Sequence, residues 1–323
     1  MLVDIILIAV GFIGLVWTAD RFVYGASAIA NILGVAPIII GLTIVGFGTS
    51  APEIFVSGLA AWQGSPILGI GNALGSNIAN IGLILGITIL IAPLNVHSDT
   101  LKREFPVLLL VILLAFILVL DNFLGFWDGI ILVAVLALLL FWLVRLALTT
   151  GKSDPMIAEI NQELPETTTM SRAVFWFMLG LIGLLVSSKL LVWGAVNIAH
   201  TFGVSELIIG LTVVAIGTSL PELAASVIGV LKNEHDLVVG NVIGSNMFNM
   251  LIVFGLPGII SPVAIPNELL ARDFSVMTLM TVLLIAMVYG FRHRGGIKRS
   301  AGLLLLTGYL AYQGSLVYMA IAG

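Results

Sequence analysis

Two stretches of this sequence repeat each other. Residues 41–53 read GLTIVGFGTSAPE and residues 210–222 read GLTVVAIGTSLPE, while residues 71–80 read GNALGSNIAN and residues 240–249 read GNVIGSNMFN. The segment 34–80 aligns on 203–249 at a constant offset of 169 without a gap, and 21 of 47 positions are identical. Because the matches include Thr, Ser, Pro, Glu and Asn at fixed spacing, chance in an apolar chain does not explain them. The chain therefore contains an internal duplication.

The composition excludes several classes of protein. The chain has 323 residues, of which 60% are apolar and 9% are charged, against about 45–50% and about 25% in soluble domains. Such hydrophobicity also excludes disorder, and the zero cysteine count excludes a disulfide framework or a thiolate metal site. A net charge of −4 has the wrong sign for a nucleic-acid binder. What remains is a polytopic protein of the lipid bilayer.

The apolar runs predict an all-α membrane protein with ten transmembrane helices. We interpret them as helices because a β-barrel would show alternating segments of about ten residues, and a helical span needs about 20 residues. The first and sixth runs are long enough to be strongly tilted or broken. The predicted spans lie near 2–33, 36–62, 66–93, 104–121, 125–146, 172–202, 205–231, 237–261, 273–291 and 300–321.

The two repeats predict an inverted architecture. A hydrophilic stretch, residues 150–171, separates an N-terminal half (1–149, with the copy at 34–80) from a C-terminal half (172–323, with the copy at 203–249). Five predicted spans separate the two copies, so the second copy enters the membrane in the opposite sense. Secondary transporters use this inverted-topology repeat and bind their substrate near the bilayer midplane.

The basic residues predict the orientation. If the N-terminus lies outside, ten of the thirteen Lys and Arg fall on the inner side and only Arg272 on the outer side. By the positive-inside rule, both termini lie outside and the linker lies in the cytoplasm. The start of the chain shows no cleavable signal peptide, so we expect the first span to be retained.

The G-T-S-x-P-E motif predicts a broken helix in the middle of a span. Pro52 and Pro221 lack an N–H group and clash with the carbonyl four residues earlier. We expect the break to free carbonyls near Gly46 and Ala215, which lipid cannot satisfy but a cation can. Hydroxyl oxygens flank both breaks, and they belong to Thr49, Ser50, Thr218 and Ser219.

Glu53 and Glu222 are the acids that lie mid-span. A charge at that depth costs a few kcal/mol or more and by default indicates function. The alternative, a protonated structural acid, is disfavoured because the two acids are placed symmetrically beside hydroxyl groups and no basic residue lies at that depth. The register predicts that Glu53 faces Glu222 and that Ser76 faces Ser245.

The second motif, G-N-x-x-G-S-N-x-x-N, adds amide and hydroxyl oxygens. Its Asn, Ser and Asn recur at i, i+4 and i+8, which places them on one helical face. The motif's glycines permit close helix contact, so interhelical hydrogen bonding is the alternative role, above all for Asn77 and Asn246. We expect coordination by Ser76, Asn80, Ser245 and Asn249.

All of these candidate ligands are oxygens, which hard cations prefer. No histidine lies in either motif, which argues against zinc, copper or iron. Two carboxylates match one Ca²⁺ or, with hydroxyl and carbonyl help, two or three Na⁺. A site that cannot hold both at once exchanges them, which is the physical basis of antiport. We expect no cofactor and no obligatory protein partner.

These motifs resemble those of the calcium/cation antiporter superfamily, in particular its sodium/calcium exchangers. The resemblance implies that Glu53 and Glu222 bind calcium together with Thr49 and Thr218. It implies that the long first and sixth helices form a mobile pair that slides across a fixed core. It also implies sodium ligands at Ser50, Ser76, Ser219 and Ser245 and at the carbonyls of Gly46 and Ala215.

The sequence leaves some alternatives open. Some members of the family carry Asp where this chain has Asn80 or Asn249, so the counter-ion and the stoichiometry stay open. A proton-coupled calcium antiporter using the same two glutamates is the nearest alternative. An intramembrane hydrolase with an acid dyad or a passive channel fits the repeats less well, and we expect no enzymatic activity. The short linker leaves no room for a large regulatory domain, which implies a prokaryotic-type transporter of the inner (cell) membrane.

Asp20 and Lys189 occupy equivalent positions at the repeat offset. An ion pair between the two long helices is one interpretation of this equivalence. An independent interfacial position for each residue is favoured.

Overall fold

The computed structural model describes residues 1–35, 37–94, 101–150, 169–202, 215–291 and 297–322. These residues are almost entirely helical. Two-residue strands β1 (Phe123–Leu124) and β2 (Val263–Ala264) pair antiparallel between loops. The helices are α1 (Leu2–Leu33), α2 (Pro37–Thr49), α3 (Ala51–Trp62), α4 (Pro66–Ile91), α5 (Leu101–Leu118), α6 (Phe126–Thr150), α7 (Met170–Thr201), α8 (Ala215–Thr218), α9 (Leu220–Leu231), α10 (His235–Ile260), α11 (Leu269–Phe274 continuing into Ser275–Phe291) and α12 (Arg299–Ala322).

Each predicted span overlaps a helix or a pair of helices in the described residues. Six of these helices are long and apolar enough to cross a membrane, and α2 with α3 makes a seventh span if the bent pair counts as one. The number of ten spans stays a prediction, as does the inverted arrangement. Residues 151–168 of the predicted linker (150–171) and residues 205–214 of the seventh predicted span (205–231) lie outside the described residues.

The two long helices, α1 and α7, are unbroken and pack antiparallel along their length. Glycines of each helix lie against the backbone of the other: a Cβ atom on Gly25 would lie 2.4 Å from the Phe177 nitrogen, and one on Gly180 would lie 2.4 Å from the Phe22 nitrogen. Small residues allow membrane helices this close approach, which dispersion contacts then stabilise. The two helices therefore form one tight unit.

The centre of the molecule is built from the repeat helices. In the most apolar 18-residue stretch of each helix, 72% of the residues are buried in α4 and 94% in α10, against 22% in α1 and 28% in α7. Helix α10 crosses α2 at glycines, since a Cβ atom on Gly240 would lie 2.4 Å from the Ile38 carbonyl oxygen and one on Gly244 2.4 Å from that of Leu42. The α1–α7 pair thus lies at the periphery of a core made by the repeats.

The repeat helices contain π-helical turns at equivalent places. One begins at Asn80 and runs to Leu85, and its counterpart begins at Asn249 and runs to Val253. Such turns widen the helix and often accompany functional sites. Both begin at the last asparagine of the second motif, where the widened turn leaves backbone carbonyls available to other partners.

The duplication extends beyond the segment that the sequence analysis aligned. Arg103, Glu104 and Phe105 at the start of α5 match Arg272, Asp273 and Phe274 at the start of α11, at the same offset. Both acids are buried, and Asp273 accepts hydrogen bonds from Arg272 at 2.7 Å and Tyr312 at 2.8 Å. The short length of this match hid it from the sequence comparison.

Candidate functional site

Both helices break at the serine of the G-T-S-x-P-E motif, as predicted. Ser50 has φ −79° and ψ 0°, and Ser219 has φ −90° and ψ 3°, which is the sparsely populated bridge region between helix and strand. Helix α2 meets α3 at an angle of 44°. Pro52 and Pro221 lie in the first turns of α3 and α9, where their missing N–H group costs no hydrogen bond.

The two glutamates follow the breaks directly. Glu53 and Glu222 lie in the first turns of α3 and α9 and are each 1% exposed. Free N–H groups and the helix dipole favour a negative charge at this end of a helix. The Glu222 carboxyl group lies near the Thr49 hydroxyl group and close enough to Glu53 to interact with it electrostatically. The fold therefore brings the acids of the two repeats to one place.

Thr49 is one of the residues through which the first repeat contacts the second. Its hydroxyl oxygen lies 3.1 Å from Asn241 Oδ1, 3.3 Å from Ser245 Oγ and 3.2 Å from the Val45 carbonyl oxygen. A hydroxyl group has one proton to donate, so it satisfies only one of these acceptors at a time. The cluster around Thr49 therefore contains more oxygen acceptors than protons.

The backbone carbonyls near the breaks differ in their partners. The Gly46 carbonyl oxygen accepts the Ser50 N–H group at 3.0 Å and lies 3.5 Å from Ser245 Oγ. The Gly46 carbonyl oxygen therefore already accepts one hydrogen bond, and an ion bound there would use the second lone pair of this oxygen. In the second repeat, Ser188 of α7 donates its hydroxyl proton to the Gly217 carbonyl at 2.7 Å. Ala215 begins the short helix α8.

Several buried oxygens of the site have no hydrogen-bond partner among the described residues. Each belongs to a residue that the motifs had singled out, and none is in an ion pair with a described side chain. Buried polar atoms are nearly always satisfied, so such a group of atoms indicates a ligand. The atoms are Glu53 Oε2, Glu222 Oε2, Ser50 Oγ, Ser219 Oγ and Asn249 Oδ1.

The second motif also joins the repeats. Asn80 Nδ2 donates to Asn246 Oδ1 at 3.0 Å, and Asn77 Nδ2 donates to the Asn246 carbonyl at 3.3 Å. Asn72 Nδ2 donates to the carbonyl oxygen of Glu53 at 3.3 Å. Asn77 and Asn246 thus have the interhelical role that was their alternative interpretation.

The predicted Ser76–Ser245 relationship is not among the contacts of the described residues. Ser76 and Ser245 are both buried, but Ser245 contacts Thr49 and Gly46. The reason is that α10 crosses the bent helix α2 closely. Thr218 is half-buried beside the second break.

Sequence reasoning missed three contributors. Asn241 lay on the predicted face but was not singled out as a site residue, although its amide oxygen contacts Thr49. No sequence pattern indicated Ser188, because its hydroxyl group donates to the carbonyl oxygen of Gly217, which lies 29 residues later in the chain. Ser57 donates its hydroxyl proton to the Val253 carbonyl oxygen at 2.6 Å. Its repeat equivalent, Ser226, is also a serine, but both lie outside the two motifs.

The sequence matches a model of a known protein family. The model described as sodium/calcium exchanger protein matches residues 3–145 and 172–317. The chain belongs to the sodium/calcium exchanger family. It is therefore a membrane transporter of the exchanger type.

Prokaryotic membrane proteins match this chain over nearly its whole length. The putative antiporter CaxA of Alkalimonas amylolytica is 50% identical over 97% of this chain and 98% of its own length. The inner membrane protein YrbG of Escherichia coli is 40% identical over 99% and 98%. The sodium/calcium exchanger MaX1 of Methanosarcina acetivorans is 30% identical over 98% and 99%.

A solved exchanger structure has the same fold. The sodium-calcium exchanger NCX_Mj, soaked with 2.5 mM Na⁺ and 0.1 mM Ca²⁺, superposes with a TM-score of 0.82 at 32% sequence identity. The match covers 97% of this chain and 98% of that chain. The exchanger fold is therefore shared over the full length of both chains.

Proposed function

We propose that this protein is a secondary active antiporter that exchanges Ca²⁺ for Na⁺ by alternating access. The observation that carries the proposal is the oxygen-rich cluster between the breaks, in which two buried carboxyl groups face neutral oxygens and no described basic side chain pairs with them. Two unpaired buried carboxylates are very costly. A bound cation, or protonation, removes that cost.

The kind of cation follows from the ligands. The described residues hold no group of three or more His, Cys, Asp or Glu that could bind a metal, so the charge of the site rests on two carboxylates. Flexible sets of carboxylate, hydroxyl, amide and carbonyl oxygens suit Ca²⁺ better than Mg²⁺, which demands a tight octahedron. Two negative charges balance one Ca²⁺ or two Na⁺, and a third Na⁺ would depend on neutral oxygens.

Our proposed site uses the residues that the motifs predict. Glu53 and Glu222 would bind calcium, with Thr49 and Thr218 completing that site. The neutral oxygens would hold sodium when calcium leaves. The sodium ligands and supporting oxygens would be Ser50, Ser76, Ser219, Ser245, Asn80, Asn249 and the carbonyls of Gly46 and Ala215.

The family relationship supports this assignment. A relative of 30% identity carries the name sodium/calcium exchanger, and the superposed structure is described as a sodium-calcium exchanger. We further propose that ten helices in two inverted halves cross the membrane, with both termini outside and the linker in the cytoplasm of a prokaryotic cell.

The test is calcium uptake by the reconstituted protein. Vesicles loaded with Na⁺ are diluted into Na⁺-free medium and ⁴⁵Ca²⁺ uptake is followed, with Glu53→Gln and Glu222→Gln as the site variants. Asp121→Asn is the matched control, because Asp121 is an exposed acid whose carboxylate accepts a hydrogen bond from the nearby Phe123 N–H group at 3.0 Å. We expect uptake in the wild type and the control, and none in either site variant.

Two further conditions identify the counter-ion: vesicles without a Na⁺ gradient, and vesicles with an imposed proton gradient. Vesicles without a Na⁺ gradient should take up no calcium. Uptake that follows an imposed proton gradient and ignores Na⁺ would overturn sodium coupling and indicate a proton/calcium antiporter at the same glutamates. Absence of uptake under both gradients would overturn calcium as the substrate.

A further inference from the structure

An ion pair joins the peripheral helix pair to the core. Lys232, which directly follows α9, donates to Asp20 Oδ1 of α1 at 2.7 Å and to the Asp20 carbonyl oxygen at 3.2 Å. Arg21 lies beside the same carboxylate, with its Nε 3.7 Å from Asp20 Oδ2, and its guanidinium stacks on Trp176 of α7 at 4.8 Å. Asp20 therefore pairs with Lys232 and not with Lys189, its repeat equivalent.

The two partners of this ion pair belong to different bodies. Asp20 lies on α1, which is held along its length against α7 by the glycine contacts described above. Lys232 belongs to the core, since α9 packs closely on α10: a Cβ atom on Gly229 would lie 2.5 Å from Val238 Cγ2. Alternating access in inverted-repeat transporters occurs by rigid-body movement of one bundle against the other. Any such movement here must break the Asp20–Lys232 pair.

The contact of α1 with α9 has no counterpart on the other side of the molecule. By the repeat offset, α7 corresponds to α1 and α3 corresponds to α9. In the described residues α1 packs along α9, but α7 makes no comparable contact with α3. The identical leucines Leu237 and Leu68 show the difference, because Leu237 is 3% exposed and Leu68 is 61% exposed. The structure is therefore closed at the Lys232 end and more open at the Gln63 end.

The Lys232 end can form an ion pair between α1 and the core, whereas the Gln63 end cannot. The repeat equivalents of Asp20 and Lys232 are Lys189 and Gln63, which cannot form an ion pair. Lys189 is exposed and has no ion pair among the described residues. An inverted repeat makes its two closed states nearly equivalent, so an ion pair present in one of them shifts the balance between them.

A small cavity lies between α1 and the core. It lies between Phe22 and Val23 of α1 and Ala225 and Val238 of the core, and it reaches Asn241. Asn241 is the residue that contacts Thr49 at the oxygen cluster. Helix α1 therefore lines a space that reaches a residue of the oxygen cluster.

We propose that the Asp20–Lys232 ion pair is a one-sided latch, which holds the α1–α7 pair closed over the Lys232 end and has no equivalent at the Gln63 end. The inference rests on the proposed alternating access. From the distribution of basic residues, the latched end is the cytoplasmic one. The latch favours the state in which the site opens to the outside, so Asp20 and Lys232 are positioning residues that do not touch the ions.

The absence of cysteine makes accessibility the natural test. A single cysteine is placed at the latched end by Ala225→Cys, or at its repeat equivalent at the other end by Val56→Cys. In each protein, the rate of reaction with a membrane-impermeant maleimide is measured in vesicles of both orientations. The latch is removed by Asp20→Asn or by Lys232→Gln, and restored by the double exchange Asp20→Lys with Lys232→Asp.

We expect slow labelling at Ala225→Cys and fast labelling at Val56→Cys when the latch is intact. Exposed ion pairs shift an equilibrium by up to about five-fold. Either latch variant should therefore raise the labelling rate at Ala225→Cys, and lower that at Val56→Cys, by a factor in this range. The double exchange should reverse the change. If one single variant does not fold, the other reports the same pair from its opposite partner.

Labelling needs no transport, so it separates this proposal from the proposed function. Unchanged labelling in folded latch variants of a protein that still exchanges calcium would overturn the latch alone. A shift in labelling without any calcium uptake would support the latch and overturn the substrate. Raised labelling in the single variants that the double exchange does not reverse would also overturn the latch, because the charges would then not be the cause.

Discussion

Thr49 Oγ1 lies 3.1 Å from Asn241 Oδ1, although 192 residues separate the two in the chain. Thr49 is the last residue of α2 before its break, and Asn241 lies in the buried centre of α10. The same hydroxyl group interacts with Glu222, so one side chain joins the acid, the amide and the break. The site exists only when the two repeats are docked.

This relationship predicts a strong effect of removing the hydroxyl group. Thr49→Val keeps the shape of the side chain but removes a hydroxyl group beside a buried carboxyl group, and the interaction of such a group with a charge is worth about 1.5–3 kcal/mol. We expect the half-saturating Ca²⁺ concentration for uptake to rise at least about ten-fold, and Thr49→Ser to restore it in part. Thr43→Val is the control, since within the described part of the chain the Thr43 hydroxyl group bonds only inside its own helix, to the Ile39 carbonyl oxygen at 2.6 Å. Equal affinity in the wild type and Thr49→Val would show that Thr49 is no ligand.

A matched pair of serines tests the π-helical turn in α10. Ser57 donates to the Val253 carbonyl, whereas its repeat equivalent Ser226 is buried with no partner for its hydroxyl group among the described residues. Ser57→Ala leaves a buried carbonyl unsatisfied, so we expect it to lower the free energy of unfolding by about 1–3 kcal/mol. Ser226→Ala should be neutral or stabilising. Melting temperatures in detergent measure both, and equal losses would contradict the expectation.

The close contact of α1 with α7 predicts intolerance to larger residues. In Gly180→Ala the new Cβ atom would meet the Phe22 backbone at 2.4 Å, and such overpacking costs about 1–3 kcal/mol. Gly314→Ala in α12 is the control, because nothing lies within 4 Å of that position and alanine favours a helix by about 0.5–1 kcal/mol. We expect a lower melting temperature for Gly180→Ala and an unchanged or higher one for Gly314→Ala.

The one-sided latch predicts that a second latch can be built. Gln63→Glu places an acid at the repeat equivalent of Lys232, where Lys189 can pair with it when that end closes. We expect slower labelling of Val56→Cys and faster labelling of Ala225→Cys. The effect should vanish when Lys189→Gln is added, and should weaken in 1 M salt, where screening acts over about 3 Å. Slower labelling that persists in the Lys189→Gln background would contradict an ion pair.

Local chemistry explains why the sequence predicted so much of the core. Pro52 and Pro221 predicted the breaks because each lacks an N–H group and clashes with the carbonyl four residues earlier, which is a property of the residue itself. The gap-free register then predicts which residues of the two repeats are equivalent. Glu53 and Glu222 were identified because a charged side chain in the middle of a membrane span costs free energy. This argument needs no knowledge of the neighbouring helices.

The contacts that escaped prediction are all long-range. Ser188 bonds to Gly217 and Ser57 to Val253 through helix crossings whose angle and depth the pattern of apolar residues does not specify. The crossing of α2 on α10 likewise brings Ser245 to Thr49 and Gly46, where symmetry alone suggested Ser76.

The sequence by itself determined the helical membrane architecture, the duplication, the broken helices and the type of ligand, because composition, proline geometry and spacing act within one segment. Only the tertiary structure decided that Asp20 pairs with Lys232 and that one end of the molecule is closed. The repeat makes the two ends equivalent in pattern, and the choice between two packings of the α1–α7 pair depends on contacts between bodies that no single segment contains.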